Sequence, residues 1–140
     1  MFSKYFEGSD VRPEFNKEFI SLWPGWLGKV NLHKLDAVTE FDWSRFNSLL
    51  RLISKQYEIF SANFEKKELK KIQDIGLTLA TYQESINKDC GKFSNYVIPE
   101  LDCVLSEEWD YTYIIWYRNK ELVEELKPII KEAGLYSFRE

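Results

Sequence analysis

The 140-residue chain has one histidine, His33, and two cysteines, Cys90 and Cys103. That scarcity removes several chemistries at once. A Ser-His-Asp or Cys-His catalytic set would have to be built on His33, whose setting Val30-Asn31-Leu32-His33-Lys34-Leu35 offers no motif. A structural zinc site needs four ligands, and no two of these three residues are close in sequence. The six glycines stand apart, so no glycine-rich loop is present to cradle a phosphate. The reading therefore expects no cofactor, no metal and no enzymatic activity. Met1 to Asp10 contain no apolar h-region, which predicts no secretory leader, reduced thiols and a cytoplasmic location. The longest uncharged aromatic–aliphatic run, Tyr111 to Tyr117, is far too short to span a bilayer.

What is present is material for a core: 44% hydrophobic and 16% aromatic residues, enough to exclude intrinsic disorder and, at this length, to build one domain. The net charge of −4 is unevenly spread. Pro99 to Glu140 holds ten acids and five bases, whereas the first 98 residues are near neutral. Such a C-terminal segment is unsuited to nucleic acid and suited to a basic protein partner.

The plan of the chain is clearest from Pro99 to Phe138. Leu101, Cys103 and Leu105 alternate with Asp102 and Val104, as in a half-buried strand. After a polar corner, Tyr111, Tyr113, Ile115 and Tyr117 alternate with Thr112, Ile114 and Trp116. Both faces of that run are bulky, which predicts a central strand covered on both sides. Leu122, Val123, Leu126, Ile129, Ile130 and Ala133 then fall at helical spacing, with Pro128 as a kink and Gly134 as a left-handed stop before an extended Leu135 to Phe138.

Upstream, Pro13 suits the first turn of a helix carrying Phe15, Phe19 and Leu22, ended by Pro24-Gly25. Trp23 and Trp26 in the following turn fit either a ligand platform or a loop pinned by its aromatics, the reading adopted because tryptophan burial dominates such contacts. Lys29 to Leu32 reads as a short extended piece. Asp42 or Ser44 can cap a helix with Trp43, Phe46, Leu50, Ile53, Tyr57 and Phe60 on one face. Glu65 to Asp74 reads as a charged helix stopped by Gly76, Leu77 to Gln83 as a strand, and Asn87 to Asn95 as a polar loop. The expected fold is α+β: a small, mainly antiparallel sheet from about 77–83, 97–105, 110–117 and 135–139, with N-terminal helices and a C-terminal helix packed on it.

One polar feature stands out. Glu100, Asp102, Glu107, Glu108 and Asp110 lie within eleven residues that contain no base, and Trp109 sits among them. A solvated hairpin corner accounts for the acids. A binding role accounts for the tryptophan as well, because an aromatic ringed by carboxylates suits a Lys/Arg-rich partner. Paired carboxylates also suit glycosidase-type hydrolysis, the least favoured reading.

The C-terminal sequence ELDCVLSEEWDYTYIIWY, followed by a helix and GLYSF, resembles the small bacterial immunity proteins of polymorphic toxin systems, including contact-dependent growth inhibition. The resemblance implies a cytoplasmic protein that neutralises one cognate toxin, often a nuclease, by covering its active site or an adjacent surface. Glu100, Asp102, Glu107, Glu108, Trp109 and Asp110 would then meet a basic toxin surface. The alternative is an interaction domain with no toxin partner.

Overall fold

The computed structural model describes residues 1–139, with the side chain of Cys90 left out. The expectation for the Cys90 thiol therefore lies outside the described residues. In chain order the strands and helices are β1 (Phe6–Glu7), β2 (Asp10–Val11), β3 (Asn16–Ser21), α1 (Gly28–Asn31), α2 (Glu40–Gln56), β4 (Phe60–Asn63) and β5 (Glu68–Lys71). There follow α3 (Ile75–Thr78), α4 (Tyr82–Ile86), β6 (Asn95–Ile98), β7 (Cys103–Glu108), β8 (Thr112–Tyr117), α5 (Lys120–Val123), α6 (Lys127–Glu132) and β9 (Tyr136–Phe138). The fold is α+β. A seven-stranded sheet runs β5-β4-β6-β7-β8-β3-β9 with every pairing antiparallel, and β1-β2 forms a separate two-stranded hairpin.

β8 is interior, between β7 and β3, as its two bulky faces predict. Ile115 and Tyr117 enter the main core with Ile20 and Leu105 against α2, α5 and α6, where Leu49, Leu50, Ile53, Leu126 and Ile130 are buried. On the opposite face Val97 and Val104 are covered by Phe2, Tyr5, Phe6 and Phe15 from the N-terminus. The sheet is thus buried on both sides where the N-terminal hairpin lies over it. Further along that second face, over β8, β3 and β9, the Trp23–Leu35 segment forms a wall and leaves a groove.

The predicted first helix is a strand. Phe19 and Ile20 point to opposite faces of β3, which pairs over six residues with β8, from Asn16↔Tyr117 to Ser21↔Thr112. An interior position between two strands near the far end of the chain overrides a local helical spacing. Glu65–Asp74 is likewise no helix. β4 and β5 form a hairpin in which Asn63 Oδ1 accepts from the Lys66 N–H and Lys67 is left-handed at φ 54°. Glu, Lys and Leu are good helix formers, but lysines also protect a sheet edge, and β5 is that edge.

The 77–83 strand is also corrected: α3 and α4 occupy the region, capped by Asp74 and by a Thr81–Glu84 capping box. Gly76 lies inside α3 rather than after a helix. Lys29–Leu32 is helical, not extended. The cap of α2 is Thr39, three residues before Asp42; Thr39 Oγ1 accepts from the Asp42 N–H (3.1 Å) and the Asp42 carboxylate accepts from the Thr39 N–H (3.1 Å). Tyr57 ends α2 and Phe60 belongs to β4. The single 97–105 strand is two, folded back by a 3-10 turn at Pro99–Leu101 and a left-handed Asp102 (φ 48°). Pro opens such a turn readily and Asp tolerates its last conformation.

The C-terminal helix is divided by a 3-10 turn at Glu124–Leu126, with Pro128 in the first turn of α6. Pro128 has no N–H for the Glu124 carbonyl, so the ladder restarts there. Gly134 (φ 81°) stops it as predicted: its N–H bonds to the Lys131 carbonyl (3.0 Å) and the Leu135 N–H to Ile130 (3.1 Å). The tail then pairs as β9 with β3.

Candidate functional site

The acidic stretch is divided by the strand that carries it. Glu100 and Asp102 flank the β6–β7 turn, while Glu107, Glu108, Trp109 and Asp110 sit at the β7–β8 turn. Six residues of β strand put Asp102 and Glu108 roughly 20 Å apart. Each also has its own local chemistry. Glu100 accepts the Glu58 N–H (3.2 Å). Asp102 pairs with Arg118 (3.3 Å) and Lys4 (3.7 Å), tying the N-terminus to β8. Glu107 is only 9% exposed and accepts from Lys88 Nζ (2.8 Å) and the Ser94 N–H (2.9 Å). Through Oε1 it holds the 87–95 loop against β7.

Glu108, Trp109 and Asp110 remain together and accessible. The Glu108 carboxylate accepts from the Ser106 hydroxyl (2.8 Å), which accepts in turn from the Trp116 indole N–H (2.9 Å). Neither Glu108 nor Asp110 has a cationic partner among the described residues. Trp109 is 60% exposed yet packs edge-on against Phe93 at 4.8 Å between ring centres.

The turn beneath them is unusual. Asp110 and Tyr111 are both left-handed, at φ 57° and 56°. For a residue as bulky as tyrosine this conformation costs about 1–2 kcal/mol. Tyr111 makes an edge contact there with Trp23 (6.5 Å), and the hydroxyl of Tyr82 lies by its phenol. Burial, that hydroxyl, and the carboxylates of Asp110 and Asp36 push the Tyr111 phenol up to about 12. Asp36 is thus a carboxylate whose charge reaches the Tyr111 phenol, and nothing in its sequence setting marked it.

Three cavities border this turn, and Trp109 lines all of them. The most apolar, about 400 Å³, lies between the sheet face and the Trp23–Leu35 segment; Phe19, Trp26, Leu32, Glu108, Trp109 and Asp110 are among its walls. Trp26 is 57% exposed and is held edge-on by Phe19 (4.8 Å) and Phe138 (5.0 Å). Both aromatics of the Trp23–Gly28 turn are pinned by neighbouring rings, Trp23 by Tyr111 and Trp26 by Phe19 and Phe138, and Trp26 stays exposed as well.

His33 is exposed in the 3-10 segment Leu32–Ala37. Among the described residues no group of three or more His, Cys, Asp or Glu side chains could hold a metal ion, and no helix is long and apolar enough to cross a membrane. Cys103 is a free thiol, fully buried in the core. No protein-family model, no curated protein and no solved structure matches the chain.

Proposed function

We propose that this chain is a non-catalytic inhibitor of the immunity type, working in the cytoplasm by binding a basic protein toxin through the β7–β8 turn. One observation carries the reading. An exposed tryptophan, fixed in place by Phe93, stands between two carboxylates that no base among the described residues neutralises. A rigid aromatic anchor with uncompensated charge beside it is the make-up of an interface hot spot: the ring supplies holding energy, and the charges speed association and reject wrong partners. Glu100 and Asp102 fall outside this surface, and Glu107 acts as its internal brace. The hydrolase reading is weaker, since Glu107 is already engaged by Lys88 and Ser94.

The test is neutralisation of a toxin encoded beside this gene. Co-expression of the chain should restore growth, and the purified pair should bind. Trp109→Ala should raise the dissociation rate by the equivalent of about 2 kcal/mol or more. Glu108→Lys with Asp110→Lys should slow association and flatten its dependence on salt. Absence of both binding and rescue by the wild type removes the toxin reading.

A further inference from the structure

We propose that the groove between the sheet face and the Trp23–Leu35 segment receives an arginine side chain of the partner protein, stacked against Trp26 and Trp109 and paired with Glu108 and Asp110. The inference rests on the reading that this face meets a basic partner, and it specifies what the groove itself recognises. At about 400 Å³ the groove falls in the size range of pockets that enclose small ligands. Its lining includes one phenylalanine and three tryptophan rings, two carboxylates and no base.

That combination discriminates among occupants. An anion would meet two like charges and no donor cation. A wholly apolar ligand would strip water from Glu108 and Asp110 and return nothing to them. A guanidinium satisfies both requirements, because it is planar and weakly hydrated, stacks on aromatic faces and offers a fork of donors to carboxylates. Its aliphatic stem can lie along the apolar floor while the charged end meets the acids. Lysine, a compact and strongly hydrated charge, suits the walls less well.

The walls are also set in advance. Trp26 is clamped by Phe19 and Phe138, and Trp109 by Phe93. Among the described residues a lysine lies over Trp116, but no cation of the chain lies over Trp26 or Trp109. A preformed aromatic site loses little side-chain freedom on binding.

The experiment uses the whole chain and two small probes, acetyl-arginine amide and its neutral isostere acetyl-citrulline amide, titrated while the five indole N–H resonances are followed by NMR. The arginine probe should shift the Trp26 and Trp109 resonances saturably and leave Trp43, which does not line the groove, unmoved. The citrulline probe should bind about 3- to 10-fold more weakly, the worth of one or two exposed ion pairs. In the Glu108→Gln/Asp110→Asn variant, which keeps the shape of both side chains, the two probes should bind alike. Equal binding of the probes to the wild type overturns the proposal. So do shifts confined to other indoles, discrimination that survives in the variant, and a self-associated dimer that covers the same two rings. Because no toxin enters this experiment, its failure leaves the inhibitor reading standing. Conversely, a positive result beside failed neutralisation keeps the groove and removes the toxin.

Discussion

The strongest structural prediction concerns Glu18, a carboxylate on β3 that is only 2% exposed. It lies on the helix-facing side of the sheet, where Lys127 at the start of α6 donates to its Oε1 and Arg139 of the tail approaches Oε2 at 3.8 Å. Lys127 also donates to the Ser137 hydroxyl (3.0 Å), so one cluster joins the N-terminal strand, the break in the C-terminal helix and β9. Removing one member of a fully buried pair costs about 3–5 kcal/mol. Here the Lys127 side chain is 32% exposed and can turn its ammonium toward water, so Glu18→Gln should cost less, about 2 kcal/mol. Lys127→Met should cost more, about 3 kcal/mol, because it leaves the buried carboxylate with a distant arginine alone. The double variant should fall short of the sum by about 1–2 kcal/mol, since neutral partners of similar size no longer need each other. Urea unfolding followed by tryptophan fluorescence measures all three, and unchanged slopes would confirm that the same surface is exposed in each. A Glu18→Gln midpoint equal to the wild type, or strict additivity in the double variant, would refute the reasoning.

Three further outcomes follow from the same structure. Ile115→Ala, in the middle of β8, should cost about 2–5 kcal/mol as a large-to-small core change, and an unchanged urea midpoint would show that the strand does not bear on stability. Burial pushes the Cys103 thiol far up, beside Asp102, so mass spectrometry should find Cys103 unlabelled by a thiol reagent in the native protein and labelled, without prior reduction, once it is unfolded. Tyr111 and Tyr113 hold their protons more tightly folded than unfolded, chiefly through burial, so the stability they contribute is complete below about pH 10 and is lost as pH rises above it, for Tyr111 toward about pH 12. The urea midpoint should therefore fall between about pH 10 and about pH 12; a flat midpoint would contradict the burial of these hydroxyls.

The elements that were legible in the sequence are those whose signal is local. β8 shows bulky residues on both faces because it has neighbours on both edges and layers on both sides. The end of α6 shows Gly134 because the backbone there must be left-handed. The elements that were misread are held by partners distant in the chain. β3 exists because β8 and β9 accept it, about a hundred residues away or more, and Phe15, Phe19 and Leu22 fall at helical intervals although Leu22 lies on the opposite side of the sheet from the other two. β5 carries a helix-forming composition because an exposed edge and an exposed helix both favour lysine and glutamate. The turn at Pro99–Asp102 was signalled by its own residues, yet the apolar alternation on either side of it masked the reversal.

The candidate surface follows the same division. Glu108, Trp109 and Asp110 were legible because three adjacent residues of a turn stay together in any fold that keeps the turn. The rest of the acidic stretch could not stay with them, because a strand carries residues apart at about 3.4 Å each, and sequence proximity along it is separation in space. The partners that complete the surface come instead from Phe93 and Trp26, brought in by a loop and a turn that belong to different parts of the chain. Trp26 had one visible cue, its place in a Pro-Gly turn beside a second tryptophan. What decided between a pinned and a presented ring was β9, since Phe138 clamps the edge of Trp26 and leaves its remaining surface open. The groove is therefore a product of the long-range pairing of β3 with β8 and β9. Variants that loosen β9, such as those at Glu18 and Lys127, should act on binding at Trp26 before they touch the turn at Trp109.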